Sequence, residues 1–314
     1  MQIKTGQYTG DGADSRGITG VGFQPDVVIV KRQGSGGTSA ICKTDLIAGD
    51  NGKPMAAATA LTADTVQSLD ADGFTVGTSG YVNASGQTYN WLALKKHASD
   101  CATGQYTGDG TDSRSVTGVG FQPNLVIVMS QGATIATWRQ SSGFSGDDSA
   151  NFNDGGDGAD RIQALEADGF QVGTHAEVNT NTTVYDYVAI KTTAGFIHVG
   201  TYTGDGVDNR SITGAGFQPD FAHVQRVNGF ADRPTGRNVA VAGDLSWFYQ
   251  NDGAVANLIQ ALEADGIQVG TAPNVNANTP TYAWWALKEG NSQAGGGGSI
   301  VPIIMSYNRR RVGA

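Results

Sequence analysis

Two aspartates three residues apart, with an arginine two further on, occur three times: Asp11, Asp14 and Arg16; Asp109, Asp112 and Arg114; Asp205, Asp208 and Arg210. Paired carboxylates in a Gly-rich loop could ligate a cation, but the guanidinium beside them opposes one. The pattern predicts a turn held by aspartate side chains bonding to the backbone and by a local ion pair. A second candidate is Gly155-Gly156-Asp157-Gly158-Ala159-Asp160-Arg161-Ile162-Gln163, which fits the nonapeptide of calcium β-rolls. That site is built between successive nonapeptides, and this one is solitary, so an Asp- and Gly-rich loop is expected and no metal.

Other chemistry lacks its residues. His97, His175, His198 and His223 share no repeated position and show neither HExxH nor HxH spacing, so each is expected in solvent or at a junction. GxSxG, the P-loop and a GxGxxG between strand and helix are all absent from the sequence. The chain is therefore read as non-enzymatic and without cofactor. Cys42 and Cys101, too few for a disulfide framework, are expected as free thiols. Trp138, Trp247, Phe248 and Tyr249 are candidates for stacking on a host-surface glycan, with core packing as the other reading.

These residues sit in a repeated frame. TGQYTGDGADSRGITGVGFQPDVVIVK from Thr5 returns from Thr103 and again from Val199, with Tyr8, Tyr106 and Tyr202 spaced 98 and 96 residues apart. Asp72-Gly73, Asp168-Gly169 and Asp265-Gly266 keep the register, as do the closing segments from Tyr89, Tyr185 and Tyr282. The middles, roughly residues 33 to 62, 131 to 158 and 227 to 254, diverge. Each unit is long enough for one modest core. The expected domains are residues 1–99, 100–195 and 196–290, followed by a tail over 291–314.

Gly is 46 of 314 residues, placed between Val, Ile, Phe, Tyr and Trp runs as turns would be. The net charge of −9 argues against nucleic acid as a partner. No stretch reaches membrane-span length, and the N-terminus lacks an apolar signal core, so a soluble protein made in a cytoplasm is expected. Val27 to Val30 reads as a buried strand begun by Pro25, and Tyr89 to Leu94 alternates with apolar residues on both faces. Around each Asp-Gly turn a hairpin is expected, with one helical turn at Ile162 to Glu166 and Leu258 to Glu263 as the alternative. The sum is an all-β chain of three tandem antiparallel β-sandwiches of jelly-roll type. Phe23, Phe121, Phe217, Trp91, Tyr187 and Trp284 are expected in their cores.

Beyond Gly295 to Gly298, a flexible tether by composition, lie Ile300, Val301, Ile303, Ile304 and Tyr307, then Arg309, Arg310 and Arg311. Such an apolar segment needs a cover. It either docks on the third domain or anchors the chain to a partner by strand addition or groove insertion.

The order Tyr-Thr-Gly-Asp-Gly, Gly-Phe-Gln-Pro-Asp/Asn with a Val/Ile strand, Asp-Gly-Phe and a closing Tyr-x-Trp-x-Ala-Leu-Lys resembles a repeat of virion proteins of tailed bacteriophages. The third copy departs from it at Ala222-His223-Val224 and Ile267, and the second has Tyr187 for the tryptophan. The resemblance implies a lectin-like sandwich on the virion, with capsid or tail proteins as partners and no catalytic residues. The expected function is capsid decoration or a fibre component; a carbohydrate-binding receptor module is the alternative. Only about eight residues join successive copies, which predicts a compact covalent trimer with a pseudo-threefold axis.

Overall fold

The computed structural model describes residues 1–34, 36, 38–227 and 232–292. Copy one comprises β1 (Gln2–Thr9), β2 (Arg16–Thr19), β3 (Val27–Arg32), β4 (Ile41–Thr44), β5 (Lys53–Pro54), β6 (Val66–Asp70), β7 (Gly73–Val76) and β8 (Thr88–Lys95). Copy two has β9 (Cys101–Thr107), β10 (Arg114–Thr117), β11 (Leu125–Ser130), β12 (Thr137–Gln140), β13 (Ser149–Asn151), β14 (Asp157–Gly158), β15 (Ile162–Glu166), β16 (Gly169–Val172), the one-turn helix α1 (Ala176–Asn179) and β17 (Val184–Ile190). Copy three has β18 (Ile197–Thr203), β19 (Arg210–Thr213), β20 (Phe221–Val227), β21 (Thr235–Asn238), β22 (Trp247–Phe248), β23 (Ile259–Glu263), β24 (Gly266–Val269), α2 (Pro273–Asn276), β25 (Thr281–Leu287) and β26 (Gly290–Asn291).

Each copy forms a large and a three-stranded antiparallel sheet. In copy one these run β26-β1-β8-β3-β4-β5 and β2-β7-β6, and the other two copies repeat the plan. The nested pairs β1 with β8 and β2 with β7 are those of a jelly-roll winding, after which β4 and β5 stay beside β3 in the large sheet. The Ile-Gln-Ala-Leu-Glu segments are strands, not helical turns. A register shift between Ile162 and Ala164, and between Ile259 and Ala261, marks a bulge that breaks their period of two.

The closing strands explain their own two-sided pattern. One face of β8, with Tyr89, Trp91 and Ala93, packs against the small sheet of its own copy. The other face, with Leu92 and Leu94, joins a core to which all three copies contribute. Val28 and Val30 on β3 face inward to the first core, Val27 and Ile29 to the shared one. Tyr187 and Trp284 lie in the cores of their own copies with Phe121 and Phe217, and Phe23 is partly buried. Trp91 and Tyr187 lie flat over Gly6 and Gly104, where an added Cβ would stand 2.4 and 2.2 Å from the ring. A unit long enough for one modest core thus holds that core and shares a second. Each copy has a core of its own but leaves one apolar face that, among the described residues, the other two copies cover.

The copies meet head to tail in a ring. Thr44 of copy one reaches Asp186 of copy two (3.4 Å), Gln140 of copy two donates to the Gly200 carbonyl of copy three (2.9 Å), and Asn238 of copy three donates to the Gly6 carbonyl of copy one (3.0 Å). These three side chains hold one position, each opposite the first residue of the strand before it. The junctions are equivalent too. His97 bridges Cys101 and Thr193 bridges Ile197 across the two covalent junctions, and Gly290 pairs with Ile3 at the same place to bring copy three back to copy one. There the Ser292 N–H donates to the Met1 carbonyl (2.9 Å).

Candidate functional site

The Asp-x-x-Asp-x-Arg loops are turns in all three copies. The Asp11 carboxylate accepts from the Ala13 N–H (2.9 Å) and lies 3.3 Å from the Arg16 guanidinium, and Asp109 with Arg114 and Asp205 with Arg210 repeat the pair at 3.4 and 3.2 Å. The backbone N–H of Ala13, more than Arg16, holds the Asp11 carboxyl below its usual range. The residue that organises the turn is a buried asparagine. Asn83 accepts from the Asp11 N–H (3.0 Å) and Arg16 (3.2 Å) and donates to the Ala13 carbonyl (2.7 Å); Asn179 and Asn276 do the same. Sequence reasoning passed over it, although Val-Asn stands before the closing segment of every copy. The second aspartates, Asp14, Asp112 and Asp208, accept from the bulged Gln67, Gln163 and Gln260 at 2.7, 2.8 and 3.0 Å. These carboxylates are committed to structure.

The solitary nonapeptide is likewise a structural loop. Asp157 begins the short strand β14, and Asp160 accepts from the backbone and hydroxyl of Thr174. Asp64 with Thr78 and Asn257 with Thr271 make the equivalent bridge in the other copies, so a neutral amide serves as well as the carboxylate. Among the described residues no three His, Cys, Asp or Glu side chains gather as a metal would need.

The proposed sugar-stacking residues are corrected. Trp138, Trp247 and Tyr249 are 0, 3 and 1 % exposed and belong to the shared core, and Phe248 is buried within copy three. They belong to the divergent middles because each middle packs against a different neighbour, and no saccharide can reach them. His223 is corrected as well. It lies at the same seam, fully buried, while His97 is exposed and His175 and His198 are half-buried. Cys42 and Cys101 are free thiols in the shared core, both pushed up by burial, Cys101 to about 12. Ile300, Val301, Ile303, Ile304, Tyr307, Arg309, Arg310 and Arg311 lie outside the described residues.

What the geometry brings together is an interface. The Lys31 ammonium, from copy one, donates to the carbonyls of Thr38 (2.6 Å) in its own copy and of Gln250 (2.6 Å) and Asp252 (3.2 Å) in copy three. Lys53 ties copy one to copy two through the Gly132 carbonyl (2.8 Å). Burial lowers both, to about 7 and about 8. Backbone bonds run between copies from the Ala40 N–H to the Tyr249 carbonyl (2.8 Å) and from the Ala136 N–H to the Met55 carbonyl (2.9 Å). A third cation position stays within each copy: Lys43, Arg139 and Arg237 hold loop carbonyls, Lys43 those of Ile47, Gly49 and Asn51. None of these cations carried a sequence signal, because their acceptors are backbone carbonyls of segments that differ in every copy. Among the described residues no helix is long and apolar enough to cross a membrane.

A family model described as a domain of unknown function (DUF7483) matches residues 2–105 and 192–310. No curated protein and no solved structure matches the chain.

Proposed function

We propose that this chain, which belongs to the DUF7483 family, is a non-enzymatic structural protein of a tailed-phage virion, made in the host cytoplasm and held on the particle by contacts with capsid or tail proteins. The observation that carries the proposal is the shared core, which makes three copies one closed body. A head-to-tail interface either closes or propagates, and here it closes after three. Closure supports decoration of the capsid, at a place where three neighbours meet, over an extended fibre component. The repeated carboxylates support a non-enzymatic role because they are spent on turns. The segment after the Gly295 to Gly298 tether is the anchor, its Arg309, Arg310 and Arg311 drawn to an acidic surface in a salt-sensitive way.

Deletion of residues 295–314 tests the reading. The shortened chain should melt with the full chain, and particles assembled with it should carry none of it after gradient purification. Undiminished attachment would refute the anchor.

A further inference from the structure

We infer that the seam between the second and third copies is an acid-operated switch worked by His223. This residue, on β20, occupies the position held by Ile29 and Ile127 in the other copies, so the frame itself has no need of an imidazole. It is 0 % exposed, and among the described residues neither Nδ1 nor Nε2 has a hydrogen-bond partner. Its walls are aromatic. Trp285 stacks on it at 4.9 Å and 11°, Tyr249 lies at 5.3 Å, and copy two supplies Trp138 edge-on at 5.0 Å and Phe152 at 5.7 Å.

Among the described residues no charge faces the ring from any element packed on it. Its cross-strand neighbours are Gly236 on β21 and Trp285 on β25, and β12 and β13 bring Trp138 and the adjoining Phe152. Tyr249 is the one titratable wall residue, with a phenol pushed up by burial and interacting with the Cys42 thiol. Arg139 and Arg237 on β12 and β21 spend their N–H groups on loop carbonyls. An imidazolium here would bring two N–H donors and a charge to a place without an acceptor. Stacking on Trp285 returns less than desolvating that charge costs.

The seam is also where the backbone ties fail. Ala40 and Ala136 bond across the other two interfaces, but their counterpart is Pro234, which has no N–H to give. Thr235 Oγ1, Tyr249 OH and Trp285 Nε1 are buried there without partners among the described residues.

Burial lowers the His223 imidazole to about 3 from an ordinary 6.5. The folded chain therefore binds fewer protons than the unfolded one between those values. Stability from this residue is complete above about 6.5 and falls by a factor of ten in the folding constant per pH unit below it.

The experiment compares urea unfolding of the full chain and of His223→Ile from pH 8 to pH 4, with ring NMR of the wild-type histidines. The ratio of the variant's folding constant to the wild type's should be flat above pH 7 and rise about tenfold per unit below 6.5. Hydrogen exchange at pH 4.5 should release β12, β13 and β20 before β1 and β8. A flat ratio throughout, uniform loss of protection, or a His223 ring titrating near 6.5 in the folded protein would overturn the switch. The last measurement decides the matter on the wild type alone, should the variant fail to fold.

Discussion

Trp138→Ala is expected to cost about 3–5 kcal/mol of unfolding free energy, the range for truncating a large aromatic in a core. The indole is wholly buried where copies two and three meet, packed edge-on to Phe144 at 5.3 Å and against Phe152 at 6.4 Å. Its Nε1–H donates to Gln225 (2.8 Å), whose own amide donates to the Asn151 carbonyl (2.9 Å). Truncation opens a cavity and strands the Gln225 oxygen, a buried acceptor whose loss of partner costs about 1–3 kcal/mol. The site cannot collapse easily, because strands of both copies frame it. Denaturant unfolding reads the effect. An exposed, sugar-stacking tryptophan would change stability by less than about 0.5 kcal/mol, and a shift that small would return Trp138 to the surface.

Gly169→Ala should be at least as damaging, about 3 kcal/mol or more. Gly169 has φ of 151°, and an added Cβ would stand 2.0 Å from the Val116 carbonyl oxygen on the neighbouring strand. Gly73 and Gly266 repeat the approach at 1.9 and 2.0 Å. Conformational strain alone is worth roughly 1–3 kcal/mol, and here the backbone of a paired strand must also retreat. Gly118→Ala is the control: its φ is 90°, but nothing lies within 4 Å of the added carbon. Urea midpoints should separate the two variants clearly. Equal losses would mean that the close approach contributes nothing.

The frame was legible in the sequence because its determinants are local. The Asp-Gly pairs ending in Gly73, Gly169 and Gly266 mark hairpins, and the turn aspartates bond within a few residues. The two-sided closing strand also signalled burial on both faces, although only the structure names the second face as a shared one. Trp138, His223, Lys31 and Lys53 were not legible. Each finds part of its environment in another copy, up to 221 residues away for Lys31 and Asp252, and single-sequence patterns carry no such pairing. An aromatic in a variable, Gly-rich middle looks like a surface ligand contact for the same reason. Asn83 was legible in principle, as a repeated Val-Asn, but a polar residue in a loop signals a cap only when its backbone partners are known.

That three copies act as one body can be read by scanning calorimetry of the full chain. A common core couples the copies, so one transition is expected, with calorimetric and van't Hoff enthalpies in a ratio near one. Two or three resolved transitions, or a ratio near three, would mean sandwiches that unfold independently, and would contradict it.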